Sequence, residues 1–170
     1  MVVRPERPED YPNIAAVIRD AFGQEDEARL VERLRNDADY DPDLALVAID
    51  GDELVGHVCF SGVQILRDDE RTNALALAPL AVRTDMQRRN IGSTLVRRGL
   101  EACKRKGHGV IIVLGEPAFY GRFGFFPASA AGIHPPFAAP DVAFQVLEFR
   151  PGALQNVRGV VRYSSAFDQL

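Results

Sequence analysis

One stretch decides the fold: Leu75-Ala76-Leu77-Ala78-Pro79-Leu80-Ala81-Val82-Arg83-Thr84-Asp85-Met86-Gln87-Arg88-Arg89-Asn90-Ile91-Gly92-Ser93. Its first eight residues predict a β-strand, polar residues follow, and an amphipathic helix begins near Ile91. A helix leaves its first backbone N–H groups without intrahelical acceptors, and its dipole adds a partial positive charge there. A strand that runs through a short polar turn into a helix is therefore predicted to bind an anion such as a phosphate.

The turn itself carries small and basic residues. Gly92 and Ser93 keep side-chain bulk away, so that backbone could touch a ligand, while Arg88 and Arg89 add cations beside it. The spacing matches neither the P-loop nor the dinucleotide-binding Gly-x-Gly-x-x-Gly. Taken alone, the motif leaves a solvated turn without a ligand as an open alternative.

A second motif follows, and the pair of motifs points to a family. The apolar strand Val110–Leu114 ends in Gly-Glu-Pro, and a single helical turn then carries Tyr120 ahead of a Gly-Phe pair. Together the motifs resemble the GNAT superfamily of acyl-CoA N-acetyltransferases, whose signatures are Gln/Arg-x-x-Gly-x-Gly/Ala after the fourth strand and Tyr-x-x-x-Gly-Phe after the fifth. The segment Gln87–Ser93 fits the first signature, and Tyr120–Phe125 fits the second. Asn90 replaces a signature glycine, and because Asn tolerates a left-handed backbone we expect the turn to survive.

The resemblance extends to the little-characterised YhbS-like branch of that superfamily. Pro79–Val82, Leu114–Pro117 and Tyr120–Phe125 match its segments in order, and the likeness covers at least residues 1–127. It implies an α/β (α+β) acyl-CoA N-acyltransferase fold, with a mixed, mainly antiparallel, splayed sheet of six to seven strands and about four helices. With no internal repeat or linker, we expect a single domain over residues 1–170.

Hydrophobic periodicity predicts the individual elements. Strands are expected at Val2–Val3, Leu44–Ile49, Glu53–Val63, Leu75–Val82, Val110–Leu114, Val142–Phe149 and Gly159–Tyr163. Three helices are expected, each with one buried face. The first buries Ile14, Val17, Ile18 and Phe22, and the second buries Leu30, Val31 and Leu34. The third buries Ile91, Leu95, Val96, Leu100 and Cys103. The right-handed crossover rule predicts that the strands on either side of the third helix are parallel. Residues 126–140 hold four prolines and are expected to form an ordered irregular loop over the sheet, with a mobile lid at Pro135-Pro136 as the alternative.

Composition limits the classes of function. The chain has 46% hydrophobic and 26% charged residues and a net charge of −4, as is ordinary for a globular protein and unlike a basic nucleic-acid binder. Its apolar runs are strand-sized, so we expect no membrane span and a cytoplasmic protein. We expect a monomer or a homodimer. Cys59 and Cys103 are expected to be small buried hydrophobes rather than catalytic or metal-binding residues.

The resemblance also implies a reaction. A primary amine, on a small molecule or a peptide, attacks acetyl-CoA directly in a ternary complex, without a metal. The backbone of Leu80, Ala81 and Val82 would hold the acyl and pantetheine groups, because Pro79 has no N–H. The implied pyrophosphate site comprises Gln87, Arg88, Arg89, Asn90, Gly92 and Ser93.

Tyr120 matches the family's general acid for the leaving sulfur, the alternative being a ring that fills the core between Phe119 and Phe123. Glu116 is a candidate general base, although a cap of the short helix is the favoured interpretation; His57 is a weaker candidate. Phe22, Gly23 and the region of Asp26 would border the acceptor by analogy. Two other functions stay open: a catalytically silent acyl-CoA sensor and a protein-interaction module.

Overall fold

The computed structural model describes residues 1–168 and 170. Its residues form two compact units, one of Met1–Ser61, Ala78–Cys103 and Ser165–Leu170, the other of Gly62–Leu77 and Lys104–Ser164. Two long strands, β3 and β4, contribute residues to both units. The expectation of a single domain over the whole chain stays a prediction.

The first unit combines helices with one end of the sheet. Its elements are β1 (Val2–Pro5), α1 (Tyr11–Phe22), α2 (Asp26–Leu34), β2 (Ala45–Asp50), parts of β3 (Glu53–Arg67) and β4 (Glu70–Val82), and most of α3 (Ile91–Arg105). The strands are hydrogen-bonded in the order β1-β2-β3-β4. β1 and β2 are antiparallel, and so are β2 and β3, which join through the predicted turn at Asp50-Gly51.

The helices of the first unit bury the predicted faces with one exception. Ile14, Val17 and Ile18 of α1 pack with residues of α2, β2 and β4, and the five predicted residues of α3 are all buried. Phe22 is 41% exposed, so its predicted burial was wrong. It is the last residue of α1, and Gly23 ends the helix with a left-handed φ of +68°, so no further helical turn covers the ring.

The second unit is mainly β-sheet. It adds β5 (Val110–Leu114), α4 (Pro117–Tyr120), β6 (Phe126–Pro127), β7 (Ile133–His134), β8 (Phe144–Glu148) and β9 (Gly159–Arg162) to the remaining parts of β3 and β4. The strand order is β3-β4-β5-β8-β6, while β9 pairs with the end of β3 and with β7. β5 is antiparallel to β8 and parallel to β4, which confirms the predicted parallel pairing of the two strands that flank α3.

The sheet confirms the predicted fold class. Nine strands occur in the described residues, and seven of them have four or more residues. The pairing described between β4 and β5 ends at Ala76 and Ile112, whereas β5 pairs with β8 as far as Leu114, as a splayed sheet requires. Residues 126–140 were predicted to be irregular, yet they include β6 and β7. These two-residue strands are held by β8 and β9, partners distant in sequence, and so lack a local pattern.

Among residues 1–168 and 170, no helix combines the length and the apolar character that a membrane span requires.

Candidate functional site

The turn between β4 and α3 has the backbone conformation of an anion site. φ is +64° at Arg88 and +63° at Asn90, so both residues are left-handed. Turns that contain left-handed residues can direct successive N–H groups into one concave surface, which binds anions. Asn90 therefore adopts the conformation expected at the position of the signature glycine.

Helix α3 begins directly after Asn90. The Asn90 carbonyl accepts hydrogen bonds from the backbone N–H of Thr94 at 3.0 Å and from its hydroxyl at 2.8 Å. The N–H groups of Ile91 and Gly92 lie in the first turn, where a helix offers them no acceptor. Because α3 has 15 residues, its dipole adds a substantial positive potential at this end. The exposed side chains of Arg88 and Arg89 add mobile positive charge.

The entry to the turn is held by hydrogen bonds within the first unit. The carboxylate of Asp20, on α1, accepts bonds from the backbone N–H of Thr84 at 2.7 Å and from its hydroxyl at 3.0 Å. The side-chain amide of Gln87 donates to the Val82 carbonyl at 3.1 Å. This hydrogen bond links the turn to the end of β4, so Gln87 has a structural role in addition to its predicted role in the phosphate site.

The last residues of β4 differ in how deeply their side chains are buried. Ala81 is buried against α1 and α2, whereas Leu80 and Val82 are half-buried. The peptide bond between Ala78 and Pro79 is cis, and Pro79 has no N–H to offer. Any backbone donors that this segment supplies to a ligand therefore come from the residues after the proline.

An acidic cleft lies beside the entry to the turn, also in the first unit. Its volume is about 540 Å³, and its charged lining comprises Asp20, Asp52, Glu53, Arg83 and Asp85. The guanidinium group of Arg83 pairs with Asp85 at 2.6 Å and with Glu53 at 3.0 Å. The net negative lining would repel a phosphate, so this cleft is unsuited to an anion.

In the second unit, Tyr120 is the last residue of α4 and is buried to 8% exposure. Its ring makes edge contacts with Phe119, with centroids 4.9 Å apart, and with Phe125, at 5.7 Å. Phe123 packs on Phe119 instead. Burial raises the pKa of Tyr120 to about 12. The phenol is therefore neutral, and able to donate a proton, at any ordinary pH.

Glu116 caps α4. Its exposed carboxylate accepts a hydrogen bond from the backbone N–H of Ala118 at 3.4 Å, and Pro117 occupies the first helical position. The interpretation of Glu116 as a helix cap agrees with this geometry.

His57 belongs to a buried polar cluster in the first unit. Its Nε2 lies 3.4 Å from Oε2 of Glu6, and the same oxygen pairs with Arg35 at 2.8 Å. The other carboxylate oxygen, Oε1, accepts a hydrogen bond from the Tyr40 hydroxyl. Burial alone would raise the pKa of Glu6, but His57 and Arg35 outweigh it and hold that pKa below its usual value. His57 is fully buried, so an acceptor amine could not reach it without rearrangement, and a structural role is favoured.

Both cysteines are buried. Burial raises the pKa of both Cys59 and Cys103 to about 12, which leaves almost no thiolate at neutral pH. Within the described part of the chain, no cluster of three or more His, Cys, Asp or Glu residues is placed to hold a metal ion.

Comparison with known proteins identifies the family. Residues 2–128 match the model of the acetyltransferase (GNAT) domain. The chain is 35% identical over 170 residues to the uncharacterized N-acetyltransferase YhbS of Escherichia coli strain K12, with 99% of each chain covered. This chain belongs to the GNAT acetyltransferase family. A second relative, the uncharacterized N-acetyltransferase YjhQ of the same strain, is 34% identical over 133 residues, or 78% of this chain and 74% of YjhQ.

Solved GNAT structures confirm the fold. The crystal structure of E. coli YhbS in complex with CoA superposes with a TM-score of 0.90 at 34% identity, covering 98% of this chain and 91% of that one. A GNAT acetyltransferase from Brucella melitensis, in complex with acetyl-CoA, gives a TM-score of 0.79 at 31% identity, covering 98% and 97%. The GNAT prediction, the fold class and the assignment as an acyltransferase are therefore confirmed.

Other features of this GNAT chain gave little or no signal in the sequence. The GNAT signature indicates a left-handed backbone at Asn90 but not at Arg88. Gln145 is a polar side chain at 2% exposure within the apolar strand β8, and only its unusual polarity could have marked it. Nothing in the sequence connects Glu6 with Arg35 and His57, because their cluster depends on pairing between distant segments.

Proposed function

We propose that this GNAT chain transfers an acetyl group from acetyl-CoA to a primary amine by direct attack in a ternary complex. The observation that carries the proposal is the left-handed backbone at Arg88 and Asn90 directly before α3. It is supported by the two similar structures, whose proteins hold CoA and acetyl-CoA. The backbone of Asn90, Gly92 and Ser93, the basic side chains of the turn and the anchoring residue Gln87 would together hold the pyrophosphate.

The acyl half of the donor is assigned to β4. In this proposal the backbone N–H groups of Leu80, Ala81 and Val82 bind the pantetheine arm and polarise the acetyl carbonyl. Donors fixed before the reaction stabilise the negative charge that develops on that oxygen when the amine attacks. Pro79 contributes no donor, because it has no N–H.

Tyr120 is assigned as the acid that protonates the departing sulfur. The amine forms its bond to the acetyl carbon, the carbon–sulfur bond breaks, and the phenol proton passes to the thiolate. The attacking nitrogen loses one proton to water to give the neutral amide, and the tyrosinate regains a proton from water. With a pKa of about 12 against about 8.5 for a free thiol, the transfer in isolation is uphill by about 5 kcal/mol. Apolar surroundings such as Phe119 and Phe125 would also raise the pKa of a leaving thiol, and this reduces the difference between the pKa values of the phenol and the thiol.

Glu116 is assigned the role of a helix cap in this mechanism, and the amine enters already deprotonated. The acceptor class stays broad: polyamines, amino acids, aminoglycoside-like compounds and peptide amino termini all carry the required group. We assign no metal to the reaction, since neither the carbonyl polarisation nor the proton transfer proposed here needs one.

Thiol release from acetyl-CoA tests the proposal. The purified chain is assayed with a panel of the amines named above, and the acetylated product is verified by mass. Tyr120→Phe is expected to lower kcat about 10²- to 10³-fold, the usual loss for a general acid, with unchanged CoA affinity. If no amine, supplied at millimolar concentration, increases thiol release above hydrolysis, the transferase proposal is contradicted. If Tyr120→Phe keeps the parent's kcat, the assignment of the acid is contradicted.

A further inference from the structure

The ring of Tyr120 lies against a residue that has no side chain. A Cβ at Gly115 would lie 2.4 Å from Cε2 of Tyr120, a distance that real contacts essentially never reach, and 3.0 Å from Cδ2, which is tighter than most. The ring cannot easily yield, because Phe119 and Phe125 contact it as well. Gly115 has no left-handed backbone that would explain a glycine at this position. Its absent side chain therefore makes room for the tyrosine ring.

Both backbone polar groups of Gly115 are hydrogen-bonded, one to Gln145 of β8 and one to Ala143, the residue that precedes β8. Its N–H donates to the carbonyl of Ala143 at 2.9 Å, one residue beyond the last β5–β8 pair. The side-chain amide of Gln145 donates to the carbonyl of Gly115 at 3.3 Å and to that of Ala143 at 3.4 Å. A buried Gln is costly unless it is hydrogen-bonded, and here its amide joins two backbone segments.

These contacts connect β8 to the tyrosine through a short, stiff segment. Gln145 also lies in register with Val113 of β5 and Pro127 of β6, so its own backbone is fixed in the sheet. From Gly115 the chain passes through the capping residue Glu116 directly into α4, which ends at Tyr120. A shift of the Gly115 peptide would therefore move the start of α4 and the ring packed on Gly115 together.

We propose that Gly115 and Gln145 are positioning residues for Tyr120: Gly115 leaves the space in which the ring rests, and Gln145 fixes the peptide that defines that space. This inference rests on the proposed function, in which Tyr120 donates its proton to the leaving sulfur. Proton donation needs heavy atoms about 3 Å apart, so a small displacement of the phenol lowers the rate without changing the binding of the donor.

A double-mutant cycle tests the proposal. Gly115→Ala, Gln145→Met and Tyr120→Phe are compared singly and in pairs for thiol release from acetyl-CoA, with the best amine of the panel or with water. Gly115→Ala and Gln145→Met should each lower kcat at least tenfold and leave the calorimetric Kd for CoA within twofold. In the Tyr120→Phe background the same substitutions should change kcat less than twofold, because the group they position is gone.

Gly99→Ala is the matched control for crowding as such. A Cβ at Gly99 would meet Cε1 of Phe60 at 2.2 Å, a clash comparable to that at Gly115 but with a different ring. Its effect on kcat should therefore be the same with and without the Tyr120 hydroxyl. If Gly115→Ala and Gln145→Met behave like Gly99→Ala, or leave kcat unchanged, the positioning role is contradicted while the proposed function stands.

Ring NMR gives a readout that does not depend on turnover. The four tyrosines are labelled in the ring, and the Tyr120 signal is assigned as the one lost in Tyr120→Phe. Gln145→Met and Gly115→Ala should both shift this signal, since the ring moves relative to Phe119 and Phe125. An unshifted Tyr120 signal in both variants would overturn the inference. Unchanged kcat in Tyr120→Phe would instead remove the proposed acid, and this inference with it.

Discussion

At the scale of single residues, Glu116 shows how a candidate base can be separated from a cap. Its carboxylate accepts the N–H of Ala118 at the start of α4. A Gln side chain can accept the same hydrogen bond through its amide oxygen but cannot take up a proton at neutral pH. The two roles therefore respond differently to one substitution.

We predict that Glu116→Gln keeps kcat within about twofold of the parent, because capping survives and the amine needs no proton acceptor here. Glu116→Ala should lower the free energy of unfolding by about 1 kcal/mol through loss of the cap. Steady-state thiol release and urea unfolding of both variants measure these effects. A tenfold or larger fall in kcat for Glu116→Gln would make Glu116 the base.

Glu6 gives a prediction for stability and its pH dependence. Its side chain is 1% exposed and is paired with Arg35, and its pKa is held below the usual value near 4.5. The native state therefore binds fewer protons than the unfolded state as the pH falls below about 4.5. The contribution of Glu6 is present above that pH and is lost as the pH falls through the native pKa.

Glu6→Gln should accordingly lower the free energy of unfolding by about 3 kcal/mol at pH 7, because it leaves Arg35 without its buried partner. The difference from the parent should narrow as the pH falls from 4.5 to 3. Urea unfolding at pH 7, 4.5 and 3 follows both effects. A difference that stays constant over this range would show that the charge of Glu6 does not stabilise the cluster.

At the scale of elements, β9 depends on close backbone approach to β3. Gly159 has a φ of +132°, and a Cβ there would lie 1.9 Å from the Leu66 carbonyl oxygen. Both groups are backbone in paired strands, so neither can yield as a side chain can. Gly51 also has a positive φ, of +61°, but nothing lies within 4 Å of its position for a Cβ.

We predict that Gly159→Ala lowers the free energy of unfolding by more than about 3 kcal/mol, since it combines an unfavourable φ with a backbone clash. Gly51→Ala should cost only the backbone strain, about 1 kcal/mol. Thermal and urea unfolding of the two variants measure both losses in the free energy of unfolding. Equal losses would mean that β9 can separate from β3 without consequence for the fold.

The elements that the sequence predicted well are those whose pattern is local. α3 shows an unbroken apolar stripe from Ile91 to Cys103. The Asp50-Gly51 turn likewise marks the hairpin of β2 and β3. β6 and β7 could not be predicted in the same way, because each has two residues and exists through pairing with a distant strand. Phe22 was misplaced because periodicity does not show where a helix stops packing.

At the scale of the whole molecule, two sequence signatures, and not packing, indicated the residues to which the proposed function assigns roles. Asn90 and Tyr120 stand at positions that the GNAT resemblance marks, and their backbone and burial agree with the assigned roles. Gln145, in contrast, contacts Gly115 across thirty positions of the chain. Such contacts follow from the register of the folded sheet, and a single sequence carries no pattern that reveals them.

In the proposed function, residues 87–93 hold the pyrophosphate of acyl-CoA, and the left-handed backbone at Arg88 and Asn90 shapes the turn that binds it. Glycine adopts this conformation without strain, whereas a β-branched residue there is a strong outlier. Asn90→Gly and Asn90→Val thus form a pair that removes the same side-chain amide and differs in the backbone it allows. Pantetheine, which lacks the pyrophosphate, serves as the matched ligand.

Calorimetric titration of CoA into this pair is the most direct test. The Kd of Asn90→Gly should stay within about threefold of the parent, and that of Asn90→Val should rise at least tenfold, as expected for about 1.4 kcal/mol or more of added strain. Pantetheine should bind both variants equally. If Asn90→Val binds CoA as tightly as Asn90→Gly does, the turn does not hold the pyrophosphate.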